Sequence, residues 1–413
     1  MQSLPGFRDF YPDDCARRNY ILTQWRETAR RYGFVEYDGP VLEPMELYEK
    51  KSGGELVGQL FDFEDKGKRH VAMRPEMTPT LARMVAARER DFKKPLKWFC
   101  VPQFFRYEKQ QRGRLREFYQ LNCDIIGEAS SAADAELVAV LIDTLRAVAL
   151  TEADFVVRLS SRTAWQEFFA KAGGRTDDEY EFFQIVDKVE RTPPEKTDAA
   201  LAKFGLNAER VLAFMHSKEA TADLAPVVSD LNARGLGAFV EIDYAIVRGL
   251  AYYTGVVFEV FDRSKNERAL AGGGRYDKLL SLMSDGKVDL PALGFGMGDV
   301  VLANLINDVP AAKARMDAWL KHEHACDVYV IIAKEERRAD ALALVQQLRD
   351  AGQRVDFPLT AAKVGKQFQT AEQLGATRAV LVGEEWPQVK VKTLATREES
   401  LVPVADLSAA LGR

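Results

Sequence analysis

FRYEKQQRGRLREFYQLNCD, residues 105–124, decides how the rest of the chain is read. Aromatic and β-branched residues crowd both flanks, KWFCVPQFFRYE before it and EFYQLNCDII after it. That enrichment predicts two strands across 97–126 joined by the polar connection KQQRGRLR. Between 106 and 116 stand Arg106, Lys109, Arg112, Arg114 and Arg116 against one acid, Glu108. A solvated basic hairpin has this composition. So does a clamp for a polyanion, because arginine carries a planar fork of donors that matches phosphate oxygens. In a hairpin, residues two apart face the same way. Arg106 and Glu108 then share a face, and so do Phe118, Gln120 and Asp124 on the return strand.

Outward from the hairpin, helical and extended patterns are mixed. Residues 11–32 predict an amphipathic helix, with Pro12, Asp13 and Asp14 at its start, Ile21, Leu22, Trp25 and Ala29 on one face, and Gly33 as its stop. FVEYDGPVLEP alternates like a strand. Residues 131–150 are helix-patterned and 154–159 read as a strand. Residues 161–236 are strongly charged, helical in period and poor in β-branched runs. They read as a helical insertion in a β-rich domain. Strand signals resume at AFVEID, VVFEVF and ALAGGG, and a helix is expected after Gly298. Residues 309–325 read as a link. The last region alternates strand (DVYVIIA), helix (337–351), strand (RVDF), helix (364–375) and two strands (RAVLVG, QVKVKT), the pattern of a compact α/β domain.

The chain has 413 residues, 47% hydrophobic and 29% charged, which fits a globular protein of two or three domains rather than a disordered or fibrous one. The N-terminal MQSLPGFRDFYPDD lacks the apolar stretch of a secretory signal. The best apolar run, AELVAVLIDTLRAVAL, is broken by Asp143 and Arg146 and falls short of the roughly 20 residues of a membrane span. A cytoplasmic location is expected. Cys15, Cys100, Cys123 and Cys326 form no CxxC pair and are expected to be reduced, mostly buried thiols. His322 and His324 sit on a polar stretch and read as surface residues, so no metal site is expected. The net charge of −5 excludes bulk-charge coating of nucleic acid but leaves room for local basic contacts.

Three further clusters carry chemistry. In RPEMTPTLARM (74–84), Glu76 and Thr78 stand just before a helical stretch. Capping would account for the threonine, whereas Glu76 suits an ammonium group. In IVRGLAYYTGVVFEVF (246–261), Arg248 stands directly before Gly249, and Tyr252 and Tyr253 lie between Gly249 and Gly255, either as a hairpin with core tyrosines or as a ligand-approached backbone. In AGGGRYDKL (271–279), three consecutive glycines serve a turn or a close backbone approach. There is no P-loop. GFGMGD (294–299) has the spacing GxGxG, not the GxGxxG of a dinucleotide fold.

Taken in order along nearly the whole chain, these clusters resemble the histidyl-tRNA synthetase family of class II synthetases. YGFVEYDGPVLEP resembles motif 1, a dimer-interface segment with its proline at Pro40. WFCVPQFFRYE…RGRLREFYQLNCDIIG resembles motif 2. The resemblance implies that Arg106 grips the ATP α-phosphate, Phe118 stacks on adenine, Glu108 lies near the adenine amino group and Arg114 near the terminal phosphates. It places Gln111 in the loop that approaches the tRNA acceptor end. RPEMT, IVRGLAYYTG and GGGRYD resemble the histidine-specific signatures. They imply that Glu76, Thr78 and Gln120 hold the amino group of histidine, that Asp124, Tyr253 and Tyr276 surround the imidazole, that Tyr252 belongs to the histidine-binding set, and that Arg248 lies between the histidine carboxylate and the α-phosphate.

The fold implied is α+β: an antiparallel catalytic sheet flanked by helices (1–160 and 237–318), a helical insertion (161–236) and a C-terminal α/β anticodon-binding domain (319–413). The implied activity is ATP-dependent activation of L-histidine and its transfer to tRNA(His), with Mg²⁺ on the nucleotide and a homodimeric assembly. The alternative is a synthetase-like regulatory subunit of ATP phosphoribosyltransferase. The chain departs from the family at three positions. Asp124 stands where glutamate is common, Ala251 replaces the acid of RGLDYY, and Val301 occupies the usual motif 3 arginine position in GFGMGDVVL.

Overall fold

The computed structural model describes residues 2–50, 58–109, 111–247, 253–264, 267–323 and 326–411, without the side chains of 322 and 323. The chain divides into two compact units, Met1–Met316 and Asp317–Arg413.

The first unit is built on a large sheet, nine-stranded among the described residues. Its strands are β1 (Val35–Glu36), β5 (Leu96–Cys100), β6 (Gln103–Phe105), β7 (Glu117–Ile126), β8 (Phe155–Ser161), β9 (Val240–Ile242), β10 (Val256–Asp262), β11 (Ala271–Arg275) and β12 (Ala292–Gly298). The order is β1-β5-β7-β12-β11-β10-β8-β9, with β6 also on β7. Every pairing from β5 to β8 is antiparallel, and only the two edge strands run parallel to their neighbours. A satellite sheet holds β2 (Leu42–Pro44), β3 (Asp62–Glu64) and β4 (His70–Met73) in the order β2-β4-β3.

The expected helix at 11–32 is Pro12–Arg31, with proline at its first turn and Tyr20, Ile21, Leu22, Trp25 and Ala29 buried. It packs on helix Ser131–Ala147, which in turn lies on β7 and β12. Leu137, Val138, Leu141, Ile142 and Leu145 of that second helix are fully buried. This covers one face of the sheet and leaves the other for the site. A buried polar tie joins Arg275 at the end of β11 to Asp134 in the first turn of the helix. The guanidinium spans both carboxylate oxygens at 2.7 and 3.2 Å and also donates to the Glu128 and Ser130 carbonyls. Burial pushes the Asp134 carboxyl up, against the lowering effect of Arg275.

The charged stretch 161–236 folds as the helices Arg162–Lys171, Glu179–Val186, Pro194–Leu201, Ala208–Met215 and Leu224–Ala233. They close on an aromatic core. Phe169 stacks on Phe182 at 4.2 Å, Trp165 meets Phe214 edge-on at 4.7 Å, and the Trp165 indole donates to the Tyr244 carbonyl.

The second unit is a five-stranded sheet in the order β14-β13-β15-β16-β17. β13 (Val328–Ile332), β14 (Val355–Asp356) and β15 (Arg378–Val382) are parallel, as their helical crossovers require. β16 (Gln388–Thr393) and β17 (Glu399–Pro403) extend the sheet antiparallel.

Several elements differ from the sequence reading. KWFCVPQFFRYE is not one strand but two, because Pro102 has no N–H to give the ladder. The Gln120 N–H still reaches the Pro102 carbonyl, so the register with β7 runs through the break unchanged. FVEYDGPVLEP is likewise two short strands, in different sheets, separated by Gly39 and Pro40. The link at 309–325 contains a helix, Pro310–Glu323. β17 and the closing helix Leu407–Leu411 carry too few strong signals to be read in advance.

Candidate active site

The face of the sheet away from helix 131–147 holds a cavity of about 390 Å³. Its spine is β7. Phe118, Gln120, Asn122 and Asp124 all line the cavity, while the intervening Leu121 and Cys123 are fully buried. This is the period-two alternation of an unbulged strand.

β12 runs beside β7, with Gly294 opposite Asp124, Gly296 opposite Asn122 and Gly298 opposite Gln120. The GxGxG spacing is therefore a strand face stripped of side chains. A Cβ on Gly294 would lie 2.1 Å from the Asp124 carboxylate and 2.6 Å from the Tyr276 hydroxyl. One on Gly296 would lie 2.8 Å from the Gln120 amide. The β7 side chains lie across the space those glycines leave open. β11 continues the pattern, since a Cβ on Gly274 would meet the Tyr253 ring at 2.9 Å.

One end of the cavity is small and polar. Tyr276 donates its hydroxyl hydrogen to Asp124, and both residues are buried. Tyr253 faces them, and burial pushes its phenol well up, with Glu259, Glu76 and Asp124 adding to the shift. Glu76 and Thr78 line the same cavity. Thr78 is not a cap: helix Thr78–Ala87 is preceded by Met77, and no side chain caps it.

The other end is formed by the hairpin. The ladder continues past β6, where the Arg106 N–H donates to the Arg116 carbonyl at 2.9 Å. Arg106 and Glu108 both face inward. The Arg106 Nε is anchored on the Pro75 carbonyl at 2.9 Å, and its guanidinium lies 5.3 Å from the centre of the Phe118 ring. Arg114 pairs with Glu108 at 2.5 Å. The hairpin tip is a tight turn from Gln111 to Arg114, in which Gly113 takes φ +73°. Gln111 is exposed at this tip and does not line the cavity.

The hairpin is fixed from two sides. Arg8, in the stretch LPGFRDF, spans Glu117 at 2.6 Å and Asp299 at 2.9 Å, and Asp299 also accepts from the Tyr119 N–H. Burial opposes the Arg8 charge, but Asp299 and Glu117 outweigh it and raise the pKa. At the tip, Arg112 pairs with the buried Glu267 at 2.7 Å, which also accepts from Asn304.

The cavity thus brings together Glu76, Thr78, Arg106, Glu108, Arg114, Phe118, Gln120, Asp124, Tyr253 and Tyr276. Arg248, Ala251 and Tyr252 lie outside the described residues, as do His324 and the side chain of His322. Sequence reasoning missed Asn122, Glu259 and Arg268, which line the cavity too. Asn122 was legible from its place between Gln120 and Asp124, and Glu259 as a lone charge in the apolar strand VVFEVF. Arg268 has no local signal. Cys100 and Cys123 are buried, and burial raises both thiols well above the ordinary range, so they stay protonated. No helix among the described residues is long and apolar enough to cross a membrane.

Comparison with known proteins points the same way. The family model described as histidyl-tRNA synthetase matches residues 6–299, and an anticodon-binding-domain model matches 327–413. A histidine–tRNA ligase of Opitutus terrae is 44% identical over 98% of this chain and 96% of its own length. The chloroplastic/mitochondrial histidine–tRNA ligase of Arabidopsis thaliana is 38% identical over 97% and 85%. The crystal structure of histidyl-tRNA synthetase from Nostoc sp. PCC 7120 has the same fold, with a TM-score of 0.78, 24% identity, and coverage of 100% of this chain and 98% of that one. On this footing the chain belongs to the histidyl-tRNA synthetase family.

Proposed function

We propose that the protein is a histidine–tRNA ligase that activates L-histidine with ATP and acylates tRNA(His). The observation that carries the reading is the joining of two unlike ends in one cavity. A buried carboxylate–phenol pair, Asp124 with Tyr276, sits at one end, and an arginine-bearing hairpin with a half-buried aromatic ring lining the cavity, Arg106 with Phe118, at the other.

In the first step, a histidine carboxylate oxygen attacks the α-phosphorus in line. The bond from that phosphorus to the bridging oxygen breaks, and pyrophosphate leaves. Arg106 holds the α-phosphate while Phe118 stacks on adenine. Arg248 shares the growing charge, and Arg114 faces the terminal phosphates. Mg²⁺ entering with the nucleotide substrate would add neutralisation of phosphate charge to that supplied by these arginines. In the second step, the terminal ribose hydroxyl of tRNA attacks the acyl carbon and AMP leaves, its phosphate taking the proton.

Glu76, Thr78 and Gln120 receive the histidine ammonium group. Asp124, Tyr253 and Tyr276, with Tyr252, receive the imidazole. An apolar amino acid would leave these buried groups unpaired, a penalty that reaches roughly 10⁴-fold. Gln111 at the exposed tip meets the acceptor end. Residues 1–160 with 237–318 are the catalytic core, 161–236 an insertion and 319–413 the anticodon-binding domain. Val35 (63% exposed), Val41 and Leu42 (each 46%) support a homodimer through the segment that resembles motif 1.

The test is histidine-dependent ATP–pyrophosphate exchange followed by acylation of tRNA(His) by the purified chain. Exchange with histidine alone among the amino acids supports the reading. ATP binding without acylation would point instead to the regulatory-subunit alternative, against which the anticodon-binding match to 327–413 weighs.

A further inference from the structure

Arg268 belongs to the connection between β10 and β11, not to the hairpin, and nothing in its local sequence marks it. It lines the cavity all the same, together with Ala269 and Leu270. Its level in the site follows from strand register. Gly274 lies opposite Gly294, which lies opposite Asp124. β11 begins at Ala271, which lies opposite Met297 and, through it, level with Leu121, on the hairpin side of Asp124. Glu267, the residue before Arg268, pairs with Arg112 at the hairpin tip, so Arg268 stands at the hairpin end of the cavity, away from the Asp124–Tyr276 pair.

That end already holds Arg106, Glu108 and Arg114 on the hairpin side, but the wall opposite is apolar. The helix Asp299–Asp308 presents Val300 and Val301 to the cavity, and the hairpin adds Leu115. Val301 is turned to the hairpin tip, where a Cβ on Gly113 would lie 3.1 Å from its methyl. Arg114 carries the Glu108 carboxylate at 2.5 Å. The backbone on either side of Arg268 is anchored. Glu267 holds Arg112 and Asn304 through its side chain and donates its N–H to Asp262, and the Leu270 N–H bonds the Val260 carbonyl at 2.8 Å. An exposed guanidinium is thus held on a fixed stalk over the nucleotide end, beside a wall that has no cation.

We infer that Arg268 is a binding residue for the terminal phosphates of ATP, supplying from the β10–β11 connection the positive charge that the apolar Val300–Val301 wall lacks. A guanidinium suits this task because its fork spans two phosphate oxygens. The inference rests on the reading of the site as a nucleotide site and adds, beside Arg114, a second residue that distinguishes a triphosphate from a monophosphate there. It also accounts for an uncharged residue at position 301.

The experiment titrates ATP, AMP and adenosine into the full-length wild type, Arg268→Ala and Arg268→Lys, and measures KM for ATP and for histidine in pyrophosphate exchange. Arg268→Ala is expected to weaken ATP by roughly ten- to a hundredfold, the loss of one charge-assisted contact. AMP and adenosine should stay within about twofold, and KM for histidine should not move. Lysine, which keeps the charge without the fork, should restore part of the loss. Equal weakening of AMP and ATP, or a parallel rise in both KM values, overturns the inference and makes the residue structural. Unchanged ATP affinity also overturns it. If the wild type shows no histidine-dependent exchange, the proposed function fails, while the ATP-against-AMP titration still decides the role of Arg268.

Discussion

Tyr276 and Asp124 share a hydrogen bond over a strand position that has no side chain, Gly294. The acid and the phenol come from β7 and from just beyond β11, and β12 runs between those strands. Removing either partner breaks a buried hydrogen bond, at about 1–3 kcal/mol. Asp124→Asn and Tyr276→Phe should each raise KM for histidine by roughly tenfold or more and leave KM for ATP nearly unchanged. Pyrophosphate exchange at varied histidine and fixed ATP reads this directly. A rise confined to ATP would remove the pair from the amino-acid end.

Alanine is ordinarily a mild replacement for glycine in a strand. At Gly294 it should not be, because the added methyl falls on the Asp124 carboxylate and the Tyr276 hydroxyl. Gly294→Ala is expected to abolish histidine activation with an overpacking cost of about 1–3 kcal/mol. Gly296→Ala displaces only the Gln120 amide and should cost less activity. Equal activity in both variants and wild type would contradict the close approach.

Arg275 makes no use of the cavity. Its bidentate pair with Asp134 is buried on both sides, with side chains only 8% and 5% exposed. Arg275→Ala leaves an uncompensated carboxylate and should destabilise the fold by about 3–5 kcal/mol. Asp134→Ala should do the same, and the double variant should be less destabilised than the sum of the two. Denaturant melts in a double-mutant cycle measure the coupling.

Glu136 bridges Lys97 and Arg234, each at 2.6 Å. Burial works against its charge, but the two cations override that and lower its pKa. A carboxyl group with a depressed folded pKa stabilises the native state above its unfolded pKa, about 4.3. That contribution fades as pH falls through the folded value. Glu136→Gln should therefore be less stable than the wild type near pH 7, and the gap should close as pH falls from the unfolded value through the lower folded one. A gap independent of pH would assign the loss to packing.

Arg248→Ala should cut pyrophosphate exchange by orders of magnitude with no change in melting temperature, as the proposed α-phosphate contact requires. Unaltered exchange would remove that residue from the mechanism.

The hairpin could be read from sequence because its signals are local. Aromatic strands flank a polar turn, and the register through Pro102 is kept by a single backbone bond to Gln120. The helix at 12–31 was legible for the same reason, from apolar period and a proline start. The purpose of GFGMG was not, since a period-two glycine run acquires meaning only when the neighbouring strand lays Gln120 and Asp124 across it. Arg268 was hidden too. Its place depends on which strand ends meet, and it stands three residues before the AGGGRYDKL signature, outside any recognisable motif.

The floor beneath the amino-acid end is a surface of peptide groups, and peptide groups have no rotamers. Its depth is pinned by the spacing of the antiparallel ladder, so it neither swells nor adapts to a different occupant. If this end receives the amino acid as proposed, retuning it for another must proceed through its walls at 76, 124, 253 and 276, on a base that single substitutions can only make shallower.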